Sequence, residues 1–209
     1  MASVTRPRST ARVRHEEVED RVREAVERLL GEGLSFTELS VSRIAREAGI
    51  GRSTFYLHFP DKTQLLVRIG QRPITTMFEP AVQWWLREEH DDGPEGVART
   101  MLAMIERFRE HRALMLAMLE VAAYEPDVRR HHLGLVEWFI ALVRERLEQL
   151  QADGRLDASL DPAATADLLT WMVERTLSHH VRVDDGSGDE RVAAALGRAI
   201  WLTTYGVAG

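Results

Sequence analysis

Cysteine is absent from all 209 residues. Disulfide staples, thiolate nucleophiles and cysteine-based zinc sites are therefore excluded at the outset. Lysine is nearly absent: Lys62 stands alone, and arginine carries the remaining positive charge. No apolar run approaches the ~18 residues that a membrane span requires, and the opening MASVTRPRSTARVRHEEVED lacks the apolar stretch of a secretory signal. A cytoplasmic protein with no membrane partner is expected. No segment sustains an apolar and polar alternation, and no Asn-Gly pair marks a hairpin, which argues against a sheet. A glycine-rich phosphate loop, a nucleophile elbow and a His-Glu-x-x-His helix are also missing. The best enzymatic material is His131-His132 and His179-His180, the latter pair preceded by Glu174. Adjacent helical residues point about 100 degrees apart and rarely share one metal. No enzyme, no metal and no cofactor are expected.

What is present is helical. Hydrophobic residues make up 44% of the chain and recur at spacings of three and four, which predicts an all-α fold. The first helix is predicted over about 16–30, stopped by Gly31 and Gly33. Ser40 is placed to cap a short helix to Ala48 that ends at an αL-type Gly49, and a third helix spans about 52–59. Asp61 caps a fourth, in which Pro73 and Pro80 each delete an N–H and predict a kink or break, with a break near Arg72 acting as a hinge. Further helices are expected from Pro94 through Phe108 and over about 112–123, 126–151, 161–181 and 190–205, nine in all.

Charge is distributed unevenly. Residues 1–62 hold 11 Lys and Arg against 10 Asp and Glu, whereas the remainder holds 16 against 23. Within the first part the basic groups cluster at Arg6, Arg8, Arg12 and Arg14, and again at Arg43, Arg46, Arg52 and Lys62. The second cluster surrounds VSRIAREAGIGRSTFYLHFPDK, residues 41–62. Two short helices separated by a glycine turn form a helix-turn-helix, the arrangement that seats its second helix in a DNA major groove. Ala45, Ala48 and Gly49 let the helices cross closely. Arg52, Ser53 and Thr54 open the second helix, where Arg can pair with a guanine edge and hydroxyls can meet phosphates or bases. Ser40, Ser42, Arg43, Tyr56, His58 and Lys62 complete the candidate DNA-binding set, with Lys62 beside the unpaired N–H groups of a helix start that themselves attract phosphate.

Ser40, IAREAG at 44–49 and TFYLHFPDK at 54–62 with Leu65 resemble the N-terminal signature of the TetR family of transcriptional regulators. The resemblance implies a nine-helix, three-helix-headed fold: a basic arm over 1–15, expected to be disordered, a helix-turn-helix domain over 16–60, and a ligand-binding and dimerisation domain over 61–209. It further implies phosphate contacts from Ser40, Tyr56 and Lys62, base reading from Arg52, Ser53 and Thr54, and core roles for Phe55 and Phe59. Gly51 stands where the family usually has a hydroxyl cap, and glycine caps only slightly less well. LLTWMVERTLSHH at 168–180, AIWLTTYG at 199–206 and EWF at 137–139 resemble the EthR-like branch, which implies a narrow apolar channel for an elongated hydrophobic effector. The candidate lining is Met101, Met104, Ile105, Phe108, Trp138, Leu142, Thr170, Val173, Leu177 and Trp201, with Thr170 as a lone hydrogen-bonding group. The expected partners are a double-stranded DNA operator, a hydrophobic small molecule and a second copy joined through the last two helices. There Leu168, Leu169, Met172, Leu196 and Ile200 offer apolar surface. A ligand-released repressor is the expected function, and a helical small-molecule-binding protein without DNA binding is the alternative.

Overall fold

The computed structural model describes residues 8–90 and 92–206, with side chains described from His15 onward. Among the described residues there are nine α-helices and no strand: α1 (Arg8–Gly31), α2 (Val41–Glu47), α3 (Arg52–His58), α4 (Lys62–Trp85), α5 (Gly93–Glu110), α6 (Arg112–Ala122), α7 (Pro126–Ala152), α8 (Pro162–Val183) and α9 (Asp189–Tyr205). A single 3-10 turn, Phe36–Glu38, lies between α1 and α2 and has no counterpart in the sequence reading.

The helix ends follow the caps that the sequence places there. Ser40 Oγ accepts from the Arg43 N–H at 3.2 Å, Asp61 Oδ1 from the Gln64 N–H at 2.7 Å, and Asp161 Oδ1 from the Ala163 and Ala164 N–H groups at 3.0 and 3.1 Å. At the end of α2, Gly49 takes φ +63° while Ile50 N donates to Ala45 O and Gly49 N to Arg46 O, the paired bonds of a Schellman ending. Gly154 repeats the device after α7, with φ +71° and donation from Arg155 N to Leu150 O and from Gly154 N to Gln151 O.

Two expectations need correction. The basic arm expected over 1–15 is shorter, since α1 already runs from Arg8, because nothing in RSTARVRHEE after Pro7 interrupts a helix. Residues 1–7 lie outside the described residues. Of the kink or break expected in α4, the break is absent: the helix is continuous with Pro73 and Pro80 inside it. Each proline costs ~3 kcal/mol in an isolated helix, whereas Ile74, Met77, Phe78, Ala81, Trp84 and Trp85 are all buried at roughly 1.5–3 kcal/mol for each large apolar side chain. The carbonyl that Pro80 leaves without its helical N–H is that of Thr76, and Arg107 Nη1 donates to it at 3.0 Å while pairing with Glu79 at 2.8 Å. Arg107 thus replaces the missing rung from outside the helix.

The chain divides into two compact units. Unit 1 comprises residues 1–72 and 113–129, and unit 2 comprises residues 73–112 and 130–209. The boundary expected between residues 60 and 61 does not coincide with this division. In unit 1, α1, α2 and α3 pack on one another around Val22, Val26, Leu29, Ile44, Ala45, Phe55 and Phe59. In unit 2, α5 packs chiefly along α9, at a crossing where Gly197 faces the α5 backbone.

Candidate functional site

The helix-turn-helix of unit 1 is held from behind. Phe55 and Phe59 are fully buried, with ring centroids 5.3 Å apart, so α3 is plugged into the core by two aromatic rings. Gly51 caps it in extended conformation without a side-chain bond. Arg21 Nη2 donates to Gly49 O at 2.8 Å and fixes the turn that sets the angle between α2 and α3.

With that inner face fixed, Ser40, Ser42, Arg52, Ser53 and Tyr56 are exposed, and Thr54 is half-buried at the edge of the same helix. Arg43 is half-buried and reaches Glu32 at 3.3 Å, and Arg28 pairs with Glu47 at 3.0 Å. Among the described residues Arg46 and Arg52 make no ion pair, so these two guanidiniums face solvent uncompensated. Arg46 was not among the candidates; its place on the outer side of α2, opposite the buried Ile44 and Ala45, is the signal that identifies it. Leu57 was missed as well, and it is 83% exposed on α3. An apolar side chain in that position suits contact with a thymine methyl.

Lys62, expected at a phosphate, is engaged within the chain. Its ammonium donates to Phe36 O at 2.7 Å, Thr37 O at 3.1 Å and Leu39 O at 2.9 Å, and lies 4.8 Å from the Phe36 ring centroid. All three of its hydrogens are engaged within the chain, and burial holds its pKa below the usual lysine value. It is a staple from the first turn of α4 to the 3-10 turn, and it fixes the backbone just before Ser40. The lone lysine suits this task because three carbonyls converge on one compact donor, a geometry that a planar guanidinium does not match. His58 is likewise half-buried rather than free: its ring stacks on His15 at 4.3 Å, and burial, helped by neighbouring His15 and Arg68, lowers its pKa.

In unit 2 the candidate lining divides into buried and outer residues. Met101, Met104, Ile105 and Phe108 on α5, and Thr170 and Leu177 on α8, are buried, while Leu142, Val173 and Trp201 are half-buried. The Thr170 hydroxyl is buried and unpartnered, as is His131 Nε2, and Glu174 is half-buried with its Oε2 3.3 Å from Arg175 Nε; neither His131 nor Glu174 was in the expected set. Trp138 departs from expectation: it is 50% exposed and, with Leu86, Leu142 and Arg146, borders an outer groove of about 340 Å3. It follows Glu137 on the solvent side of α7, where Phe139 takes the inward position.

The apolar residues expected to face a second copy are divided between the inside of the chain and its surface. Leu169, Leu196 and Ile200 are already buried within the chain, while Leu168, half-buried Met172 and Val183 remain on an outward row of α8. The end of α8 is locked by charge: Arg109 donates from Nε and Nη2 to the two Asp189 oxygens at 2.7 and 2.6 Å, and His180 Nε2 meets Asp189 Oδ1 at 2.7 Å. The His180, Asp184 and Asp189 group has the spacing of a cation site among the described residues, and the Arg109 guanidinium already supplies the positive charge there. No helix is long and apolar enough to cross a membrane among the residues searched.

Comparison with known proteins covers both units. Residues 27–69 match the model of bacterial regulatory proteins of the tetR family, and residues 97–206 match the model of the C-terminal domain of the transcriptional regulator EthR. The chain is 29% identical over 208 residues to the HTH-type transcriptional regulator EthR of Mycobacterium tuberculosis, covering 98% of this chain and 95% of that protein. It is 27% identical over 203 residues to the EthR of Mycolicibacterium smegmatis, covering 96% and 92%. Among solved structures, NalD from Pseudomonas aeruginosa, the secondary repressor of the MexAB-OprM multidrug efflux pump, superposes with TM-score 0.72 at 16% identity, covering 91% of this chain and 98% of that one. FadR from Bacillus subtilis, in complex with stearoyl-CoA, superposes with TM-score 0.69 at 15% identity over 90% and 98%.

Proposed function

This chain belongs to the TetR family of bacterial regulatory proteins, in the branch that carries the EthR C-terminal domain, and on that premise we propose that it is a cytoplasmic repressor that binds a palindromic operator as a homodimer and is released by a hydrophobic small molecule. The observation that carries the DNA-binding part is the outer surface of α3 and α2, where Arg52 and Arg46 stand unpaired beside exposed Ser53, Tyr56 and Leu57. A guanidinium free of carboxylates can form the bidentate pair with a guanine edge, and the hydroxyls can meet phosphates.

The apolar row of Leu168, Met172 and Val183 on α8 supports pairing with a second copy, which would bring two α3 helices to one duplex. Buried Met101, Met104, Ile105 and Phe108 on α5 and the buried, unpartnered Thr170 hydroxyl on α8 support a sensor of apolar molecules, since Met surfaces adapt to varied ligands. The FadR neighbour, of the same fold, is in complex with stearoyl-CoA. DNA favours the form whose two recognition helices match successive major grooves ~34 Å apart. An effector that binds better to a form with those helices spread weakens DNA binding, and DNA weakens effector binding by the same factor.

Selection of bound sequences from random DNA by wild type and by Arg52→Ala tests the assignment. Arg52→Ala is expected to relax preference at one position of each half-site, at ~1–3 kcal/mol. Tyr56→Phe is expected to weaken all sequences alike. An unchanged preferred sequence in Arg52→Ala removes that arginine from base reading. Binding that is absent, or insensitive to salt, favours the helical ligand-binding protein without DNA activity instead.

A further inference from the structure

Where α4 ends, within unit 2, four side chains bury hydrogen-bonding groups that no protein atom receives. His90 is 8% exposed and neither ring nitrogen has a partner. Its ring stacks on Trp84 at 4.2 Å and lies 6.0 Å from the Tyr205 ring, which in turn meets Trp201 at 4.4 Å. The Trp84 indole N–H, the Tyr205 hydroxyl and the Arg146 Nε are buried and unpartnered too. A buried polar group left alone costs about 1–3 kcal/mol, and the Trp84 and Arg146 N–H groups, the Tyr205 hydroxyl and one His90 nitrogen can each donate, so donors here outnumber the acceptors, the other His90 nitrogen and Asp92 Oδ1, and the place suits an acceptor.

Charge at the same place has the complementary sign. Arg146 Nη2 donates to Arg87 O, and Arg155 Nη1 donates to Glu88 O at 2.5 Å, which fixes both guanidiniums against the chain leaving α4. Each fork carries five N–H groups, so donors remain on both. Among the described residues no carboxylate pairs with Arg146 or Arg155, whereas Arg87 and Arg99 both pair with Asp92 at 3.1 Å. His90 and Arg155 line a surface cavity of about 540 Å3 together with the exposed Glu88 and Glu89. Burial, reinforced by Arg146 and Arg155, holds His90 down to about 4. Burial also pushes Tyr205 up to about 12. At neutral pH both therefore keep a neutral hydrogen to donate.

We infer that this cluster binds the carboxylate of a small organic acid, with His90, Trp84 and Tyr205 donating hydrogen bonds and Arg146 and Arg155 supplying charge. A planar carboxylate matches the arginine fork. The aromatic carbon of Trp84 and Trp201 offers an apolar body somewhere to lie, and a more highly charged phosphate would be repelled more strongly by Glu88 and Glu89. The inference rests on the reading of unit 2 as the sensor, and it narrows the effector to one with an acidic end.

The full-length protein, without DNA, is titrated with sodium octanoate, 1-octanol and inorganic phosphate while tryptophan fluorescence and thermal melting are followed. Octanoate is expected to saturate and raise the melting temperature, and octanol and phosphate to bind at least about tenfold more weakly. Tyr205→Phe should weaken octanoate about tenfold, the usual scale for one hydrogen bond to a charged group, and leave octanol unchanged. Arg155→Gln should act in the same direction. Equal affinity for octanoate and octanol, or wild-type octanoate binding by Tyr205→Phe, overturns the site. Phosphate binding as tightly as octanoate overturns the organic acid. If Tyr205→Phe fails to fold, Trp84→Phe, which deletes the indole N–H, takes its place with the same expectation. Because no DNA is present, failure here leaves the Arg52 selection result standing, and the reverse also holds.

Discussion

Helix α3 has seven residues and buries one of them, Phe55; α5 has eighteen and buries Gly96, Val97, Thr100, Met101, Met104, Ile105 and Phe108. A helix of α3's length has no stability of its own in water, because nucleation outweighs the few bonds it closes. It persists because its neighbours fix both ends: the Schellman turn and Arg21 before it, Phe59 plugged into the core after it, and Lys62 tying α4 to the turn ahead of Ser40. This support leaves the outer face free of structural duties. In α5 the duties are reversed, since its apolar face is the core and its polar groups act as clamps, Arg107 on Thr76 and Glu79, Arg109 on Asp189. The contrast teaches that exposure means recognition only where something else has already taken over the folding task.

The contrast is broken most forcefully at the packed side. A Cβ on Gly197 would lie 2.6 Å from Ala98 N and 2.8 Å from both Ala98 Cα and Pro94 O, all backbone atoms of α5. Backbone cannot swing aside as a side chain can, so α5 and α9 must separate. Gly197→Ala is expected to lose about 3 kcal/mol, measured as a shift of the urea midpoint. A neutral result would mean that the α5 and α9 crossing is looser than these distances.

The buried polar groups of unit 2 predict a pH response of the next size. His90 titrates near 6.5 when unfolded and is lowered to about 4 in the fold by burial, with Arg146, Arg155 and Arg87 adding to the shift and Asp92 opposing it. Between those values the unfolded chain binds the proton and the folded chain does not. Stability is therefore full above 6.5 and falls as pH drops toward 4, by about 2 kcal/mol at pH 5. His90→Phe removes the titrating group and should flatten the stability curve between pH 6.5 and 5. An unaltered slope in that variant assigns the acid sensitivity to other groups.

Lys62 sharpens the comparison from the other side, because it is a basic residue of the DNA-binding region that performs a structural task. Lys62→Met keeps the aliphatic stem and removes three hydrogen bonds, at a cost of about 1–2 kcal/mol of stability. If it only staples, the dependence of operator affinity on salt keeps its slope; a phosphate contact would reduce that slope by about 1. Equal slopes with a lower melting temperature separate the staple from the contact.

These cases mark what the sequence makes legible. Caps at Ser40, Asp61 and Asp161 and terminators at Gly49 and Gly154 can be read because the chemistry of a helix end is local. The outer face of α3 can be read for the same reason: once Phe55 and Phe59 are assigned inward, the 3.6-residue period sends Ser53 outward and Tyr56 to the flank, while Arg52, on the same stripe as the two rings, stays exposed because it is the first residue of the helix. Lys62 could not be assigned, since its acceptors lie 23 to 26 residues away. The unbroken α4 hides for a similar reason, because Arg107, 31 residues from Thr76, restores the bond that Pro80 removes. Trp138 and Phe139 are adjacent aromatics on one helix, and packing alone decides which of them faces inward.

The smallest predicted effect comes from making the same glycine substitution where nothing is packed. Gly134 lies inside α7, is exposed, and has no atom within 4 Å of the place a Cβ would take. Glycine in a helix interior loses more backbone freedom on folding than alanine does, so Gly134→Ala should gain about 0.5–1 kcal/mol. The opposite signs expected at positions 197 and 134 isolate contact from propensity, because the atoms added are identical and both sites are helical. Urea midpoints read at equal slope give the comparison directly. A loss at Gly134 would have to come from atoms outside the single chain, and repeating the melt at several protein concentrations identifies them: a loss that grows with concentration places a second copy against α7 rather than along the Leu168 row of α8.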